Sequence, residues 1–290
     1  MPRPLPAPPV RVRRALSLAG QELPLTQYIF DNAATQAAQR FGSLEALYDQ
    51  RTLRFLDATG VGTGWRCLEV GAGGGSVAAW LAERAGGTGH VLVTDIDSRY
   101  LEALSALGRP NVEVRHHDIG QDPLPEATFD LIHARLVLIH VPQREVALTR
   151  LIAALRPGGW IVIEDFDPTF IESGFPATEQ GDYETFDILR VAMRRLMEQR
   201  GVDPAWGRSL YRRLVDHGLA DVGLKGHFAA WQGASPGALL QRANFEQIRA
   251  EAVTAGLVTD EQVDRAVAVL NDPGFSFGSP VMMTAWGQKR

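Results

Sequence analysis

From about residue 65 to residue 165 the hydrophobic and polar positions of the chain alternate between two periods. Short apolar, β-branched runs at "RCLEV" (66–70), "HVLVTD" (90–95), "VEVRHH" (112–117), "FDLIHA" (129–134) and "GWIVIED" (159–165) read as five strands. Between them the spacing becomes helical. Val77, Trp80, Leu81 and Arg84 share one face of "SVAAWLAERA", and Leu148, Leu151, Ile152 and Leu155 share one face of "VALTRLIAAL". Strands that alternate with helices are the sequence form of βαβ units, so the pattern predicts an α/β fold built on a mostly parallel, doubly wound sheet.

Beyond the fifth strand, Phe186, Leu189, Met193, Leu196 and Met197 mark a long amphipathic helix near 180–200. "GRSLYRRLVDHGLADVGLKGHFAAW" reads as a helix that ends near Gly218 and a following strand, which resumes the α/β pattern. Ser235-Pro236, a cap and a first-turn proline, and Thr259 with Gln262, a capping box, start two more helices before a last strand at "PVMMTAWGQ". Five prolines in the first nine positions predict an extended tail. The resulting organisation is a Pro/Arg-rich tail at 1–20, an N-terminal helical cap at 21–60, a core at 61–165, 205–230 and 279–290, and helical lid insertions at 166–204 and 231–278.

Charge narrows the partners. With 29 basic against 34 acidic side chains the net charge is −5, which offers no general attraction for nucleic acid or an anionic membrane. No apolar run reaches the roughly 18–20 residues that span a bilayer, and the opening segment lacks the apolar stretch of a signal peptide. The single cysteine, Cys67, lies in a strand-like apolar run and reads as a core residue, which fits a reducing cytoplasm. No H-E-x-x-H or Cys/His cluster is present, so no metal site is expected.

The chemistry concentrates in "CLEVGAGGGSVAAWLAE" (67–83), where glycines link the first strand to a helix. A dinucleotide turn wants G-x-G-x-x-G and a pyrophosphate on the helix N-terminus. Here Gly71, Gly73 and Gly75 bring the third glycine one residue early, and Glu69 precedes the turn. A carboxylate at the strand end is poorly suited to two phosphates and well suited to a ligand carrying an ammonium and a sulfonium.

Together "LEVGAGGG", "VTDID", "HHDI", "FDLIHARLVLIH" and "LRPGGWIVIED" resemble, in order and spacing, five motifs of the class I S-adenosylmethionine-dependent methyltransferases, over roughly residues 25–230. The resemblance implies a Rossmann-like sheet with an antiparallel last strand, S-adenosylmethionine as cofactor and S-adenosylhomocysteine as product. It also implies the binding residues. Glu69 would anchor the turn and the amino-acid end of the cofactor, with Gly71, Ala72, Gly73 and Gly75 letting the backbone pass close. Asp95, followed by Ile96, would accept from both ribose hydroxyls; Asp118 would receive the adenine amino group and Ile119 pack on the ring. Ala134 and Arg135 would border the methionine moiety, where the arginine either pairs with the cofactor carboxylate or salt-bridges Glu69 or Asp130. Tyr28 and Phe30 either face the sulfonium or staple the N-terminal helix to the sheet.

His140, in "LIHVPQRE" just past the fourth strand, is the candidate general base, with packing under the loop as the alternative. His116, His117 and His133 read as structural. Trp231, Phe245, Phe275 and Phe277 form either an aromatic acceptor cavity or ordinary lid core. Apolar rather than basic covers point to a small organic acceptor, with no nucleic acid and no membrane; the resemblance implies that this acceptor is O-, N- or C-methylated by in-line displacement, in secondary or quinone-like metabolism. A homodimer is compatible with the pattern. Three other readings stay open: a non-methylating, cyclase-like enzyme that binds the same cofactor, an NAD-dependent oxidoreductase, and a noncatalytic scaffold.

Overall fold

The computed structural model describes residues 36–97, 105, 108–169 and 180–290; Tyr28, Phe30, the tail, most of the cap before the first helix and part of the first lid segment lie outside them. Seven strands, β1 (Arg66–Val70), β2 (His90–Asp95), β3 (Val112–His116), β4 (Phe129–Arg135), β5 (Leu155–Asp167), β6 (Ala220–His227) and β9 (Val281–Gln288), form one sheet in the order β3-β2-β1-β4-β5-β9-β6. β1 to β5 pair in parallel, and β9 runs antiparallel to both β5 and β6, as expected of the last strand. From β1 the chain winds outward to β2 and β3 and then crosses to β4 on the other side. That reversal opens a crevice at the carboxyl ends of β1 and β4, the usual ligand position in such sheets.

Alternation along the strands sorts two apolar faces. Cys67, Val91, Val93, Leu131 and Val162 pack with Leu56 at the end of α1 (Gln36–Asp57) and with Val77 and Leu81 of α2 (Ser76–Ala85). Leu68, Leu92, Ile132, Ile161 and Ile163 face the other way, onto Leu148 and Leu151 of α3 (Arg144–Ala154) and Trp206 and Leu210 of α5 (Trp206–Asp216). The helical face expected to include Leu155 ends at Ala154 because Pro157 disfavours helix at Arg156 and Gly158 adopts φ 79°. Leu155 instead pairs with Phe129, and Trp160 with Leu131, so the residues between them loop out.

A third cluster joins α1 through Leu44 and Tyr48 to α4 (Gln180–Gln199), α6 (Pro236–Thr254) and α7 (Asp260–Asn271). The capping box at Thr259 forms as expected, with its hydroxyl accepting from Gln262 N–H at 3.2 Å and Gln262 Oε1 accepting from Thr259 N–H at 2.8 Å. Two strands the hydrophobic pattern does not show, β7 (Ala230–Gln232) and β8 (Ser276–Gly278), pair as a separate ribbon; three residues each are too few for a visible alternation. That ribbon settles the aromatic residues. Phe186 and Phe277 lie with ring centroids 4.6 Å apart, Phe275 and Phe277 stack at 5.5 Å, and Trp231 meets Phe277 edge-on at 5.8 Å. Phe245 and Phe277 are fully buried, so these rings pack as core, and none of them lines the cavity at the strand ends.

Phe277→Ala should cost about 3–5 kcal/mol of stability, read as a lowered urea midpoint, because the rings around it cannot close the space of a lost phenyl group.

Candidate active site

A cavity of about 220 Å³ opens at the carboxyl ends of β1, β2 and β4 beneath α1, and most of the expected binding residues meet there. The turn after β1 explains the glycines. Gly71, Gly73 and Gly75 take φ of 68°, 50° and 83°, in the left-handed region. A Cβ on Gly71 would sit 2.3 Å from a methyl carbon of Val137, so the turn and the segment after β4 approach more closely than any side chain allows. Gly71 and Ala72 both donate their N–H to the Thr94 carbonyl, at 2.8 and 3.1 Å, which ties the turn to β2. Gly71, Ala72 and Gly73 line the cavity, whereas Gly75 caps α2 and lies outside the lining.

The acidic residues are held by their own loops. Asp95 accepts N–H bonds from Gly73 at 3.2 Å and Asp97 at 2.9 Å, while burial lifts its pKa above the ordinary carboxylate value. Asp118 accepts from Gly120 N–H at 2.8 Å and from the Gln121 amide at 2.7 Å. It therefore caps its loop and lines the cavity at once, since a carboxylate has about four lone-pair positions and these bonds use two. Ile96, 57% exposed, and Ile119, buried, give the cavity apolar surface beside those two acids.

Glu69 is 3% exposed and accepts a hydrogen bond from His133 Nδ1 at 2.7 Å. On the far side of that ring, Nε2 lies 3.5 Å from Glu164 Oε2. Burial opposes a charge on His133, but the Glu69 carboxylate and the hydrogen bonds to Glu164 and Glu69 outweigh it and raise the imidazole pKa to about 9. Glu164 is held below its usual range: burial works against its charge, and the bonds from His133, Thr52 and Thr284 overcome that. The histidine read as structural is thus the cation between two carboxylates. By contrast, the Cys67 thiol is pushed up to about 12 by burial and the nearby Glu69, as befits a core residue.

Arg135 salt-bridges neither Glu69 nor Asp130. It donates to Asp49 of α1 at 2.9 Å and to the Thr52 hydroxyl at 3.0 Å and lines the cavity, while Asp130 accepts from Arg66 N–H at 2.7 Å and pairs with Arg156. Ala134, 1% exposed, belongs to the core beneath the cavity instead of its lining. Leu136 follows at φ 57°, a conformation that costs a non-glycine residue of order 1–3 kcal/mol, and lines the cavity with its N–H donated to the Glu164 carbonyl at 2.7 Å.

His140 lines the cavity from a single 3-10 turn, Leu138–His140. Its environment is not that of a base near neutrality. Burial first, then the Arg40 and Arg144 cations, push its pKa down to about 3. Such a group is uncharged at working pH and has little driving force to take a proton.

Among the lining side chains that sequence reasoning did not single out, one group comes from α1. Arg40, Phe41, Leu44 and Glu45 line the cavity, and Glu45 reaches over Gly74, where a Cβ would lie 2.1 Å from its carboxylate oxygen. Their only signal was their place inside the predicted cap. Among the described residues no group of three or more His, Cys, Asp or Glu is arranged to hold a metal ion, and no helix is long and apolar enough to cross a membrane.

Residues 68–163 match a family described as a methyltransferase domain. A methyltransferase of Strobilurus tenacellus is 33% identical over 149 residues, covering 50% of each chain. A ubiquinone/menaquinone biosynthesis C-methyltransferase of Salmonella arizonae is 32% identical over 139 residues, covering 46% of this chain and 54% of its own. The chain thus spans about half the length of the curated relatives it matches. In fold it resembles a phosphoethanolamine N-methyltransferase of Haemonchus contortus, solved with S-adenosylhomocysteine, at 16% identity and a TM-score of 0.55 over 89% of this chain and 59% of that one. The matched segment, 68–163, is a third of the chain and holds most of β1, all of β2 to β4, the glycine turn and most of the cavity floor.

The charge on His133 sets a direction for stability against pH. Its folded pKa lies above the ordinary 6.5, so its contribution is complete below pH 6.5 and is lost as pH rises through about 9. The stability advantage of the native chain over His133→Gln should therefore shrink across that window, as measured by chemical denaturation at a series of pH values.

Proposed function

We propose that the chain is an S-adenosylmethionine-dependent methyltransferase acting on a small organic acceptor. The observation that carries this reading is the convergence of the glycine turn with Glu69, Asp95 and Asp118 on one cavity at the strand ends. The donor set fits the cofactor. Buried carboxylate at Glu69 suits an ammonium, the free lone pairs of Asp95 suit the ribose hydroxyls, and those of Asp118 suit an adenine amino group, with Ile96 and Ile119 against the ring. Arg135, already oriented by Asp49 and Thr52, is within the lining to meet the cofactor carboxylate.

When bound, S-adenosylmethionine supplies a methyl group on a sulfonium. The work of this chain is to exclude water and hold the acceptor in line with that methyl, a task in which positioning contributes up to about 7–11 kcal/mol. Phe41, Leu44, Leu136 and Val137 provide the apolar wall on the acceptor side, which favours a small organic molecule. His140 takes the role of a neutral wall residue, and acceptors that attack without losing a proton to a histidine fit best. A biosynthetic acceptor, with carbon among the candidate atoms, is consistent with the relative named for ubiquinone and menaquinone C-methylation. A soluble cytoplasmic enzyme, working alone or as a homodimer, completes the reading.

The test is mass spectrometry of a metabolite extract incubated with the protein and methyl-labelled S-adenosylmethionine. A product carrying the label identifies acceptor and reaction together; binding of NAD without binding of S-adenosylmethionine would refute the reading. Once an acceptor is known, turnover should show no histidine limb near pH 6.5, the ordinary value that His140 leaves, and His140→Gln should keep turnover within about tenfold. A loss of about 10²–10⁴-fold with a limb near neutrality would restore His140 as the base.

A further inference from the structure

Behind the cavity wall, on the face of the sheet that α1 covers, four polar side chains cross four neighbouring strands. Glu69 of β1 stands beside His133 of β4 in register, Glu164 of β5 lies one pleat further, and Thr284 of β9 is in register with Glu164. All four are buried, with His133 at 0% exposure. Glu164 accepts from the Thr284 hydroxyl at 2.7 Å through one oxygen and from the Thr52 hydroxyl of α1 through the other. Thr52 in turn receives the Arg135 guanidinium, whose other arm holds Asp49, also on α1. A continuous path therefore runs from the Glu69 carboxylate in the cavity wall to the helix that roofs the cavity, made of hydrogen bonds except for the 3.5 Å ion pair between His133 Nε2 and Glu164.

We infer that His133 is a positioning residue for the amino-acid end of the ligand, holding the Glu69 carboxylate toward the cavity and, through Glu164 and Thr52, linking its orientation to the seating of α1. The inference rests on the cavity being the S-adenosylmethionine site. Its physical basis is the cost of a buried carboxylate. An imidazolium between two glutamates that would otherwise repel offsets their charge, with one Glu69 oxygen fixed at 2.7 Å by a hydrogen bond and Glu164 3.5 Å away as an ion pair. Without it, Glu69 must take up a proton or turn, and either change removes an aimed negative charge from one end of the cavity alone.

That locality separates positioning from general support of the fold. S-adenosylhomocysteine carries the amino-acid group, whereas 5′-methylthioadenosine keeps the adenine, ribose and thioether and lacks it. Calorimetry on the full chain should give His133→Gln an S-adenosylhomocysteine Kd raised about tenfold or more, the loss of one charged hydrogen bond. The Kd for methylthioadenosine should stay within about twofold of the native value. Glu164→Gln should act in the same direction with a smaller effect, and it decides the matter if His133→Gln does not fold. In hydrogen exchange, S-adenosylhomocysteine should protect residues 36–57 in the native chain and less so in Thr52→Val. Equal weakening of both ligands, or of neither, overturns the positioning role, and undiminished protection in Thr52→Val overturns the link to α1. A native chain that binds neither ligand overturns the reading of the cavity itself.

Discussion

A buried carboxylate at the end of a central strand is tolerable only with a permanent partner, and much of this molecule is arranged around the one that Glu69 has. His133 stands beside it because β1 and β4 are neighbours in register, and they are neighbours because the winding reverses at β1. The same reversal opens the crevice. The strand order that makes the cavity thus also supplies the counter-ion for its most buried acid, and neither could be moved without the other. Glu164 extends the arrangement to β5 and β9, so the antiparallel last strand contributes through Thr284 to a site it does not touch.

Two kinds of packing meet at the cavity. The sheet and α2 give the floor, with backbone positions fixed by ladders and by the N–H bonds from the glycine turn to Thr94. α1 gives the roof, and it belongs to two cores at once: Leu56 packs on the sheet, while Leu44 and Tyr48 pack with the helical bundle of α4, α6 and α7. The bundle never lines the cavity through its aromatic residues; it acts on the cavity through the helix it holds. The shape of the cavity in such an arrangement depends on how α1 is seated as well as on which side chains line it.

How far the sequence discloses this depends on whether a property is local. Strands, helices and caps follow from period and turn chemistry, and the motif acids Glu69, Asp95 and Asp118 stand at strand ends where the pattern itself places them. What the pattern cannot carry is partnership across the sheet. Nothing near Arg135 in sequence announces Asp49, 86 positions away, and nothing near His133 announces that two glutamates will hold its charge. His140 shows the same limit in reverse. Its position beside the cavity was legible, but its pKa is set by burial and by Arg40 and Arg144, of which only Arg144 is near in sequence. Trp231, Phe245, Phe275 and Phe277 were legible as apolar but left open between cavity and core, because the three-residue strands that draw them together leave no periodic trace.

The left-handed Leu136 bears on how this protein can change. Its backbone would be more comfortable as glycine or asparagine, yet its side chain forms cavity wall between Arg135 and Val137, and its N–H is committed to β5. Selection for thermal robustness and selection for a shaped binding surface therefore push in opposite directions at this one position. A lineage that relaxed the strain would inherit a sturdier scaffold with a roomier, less discriminating mouth.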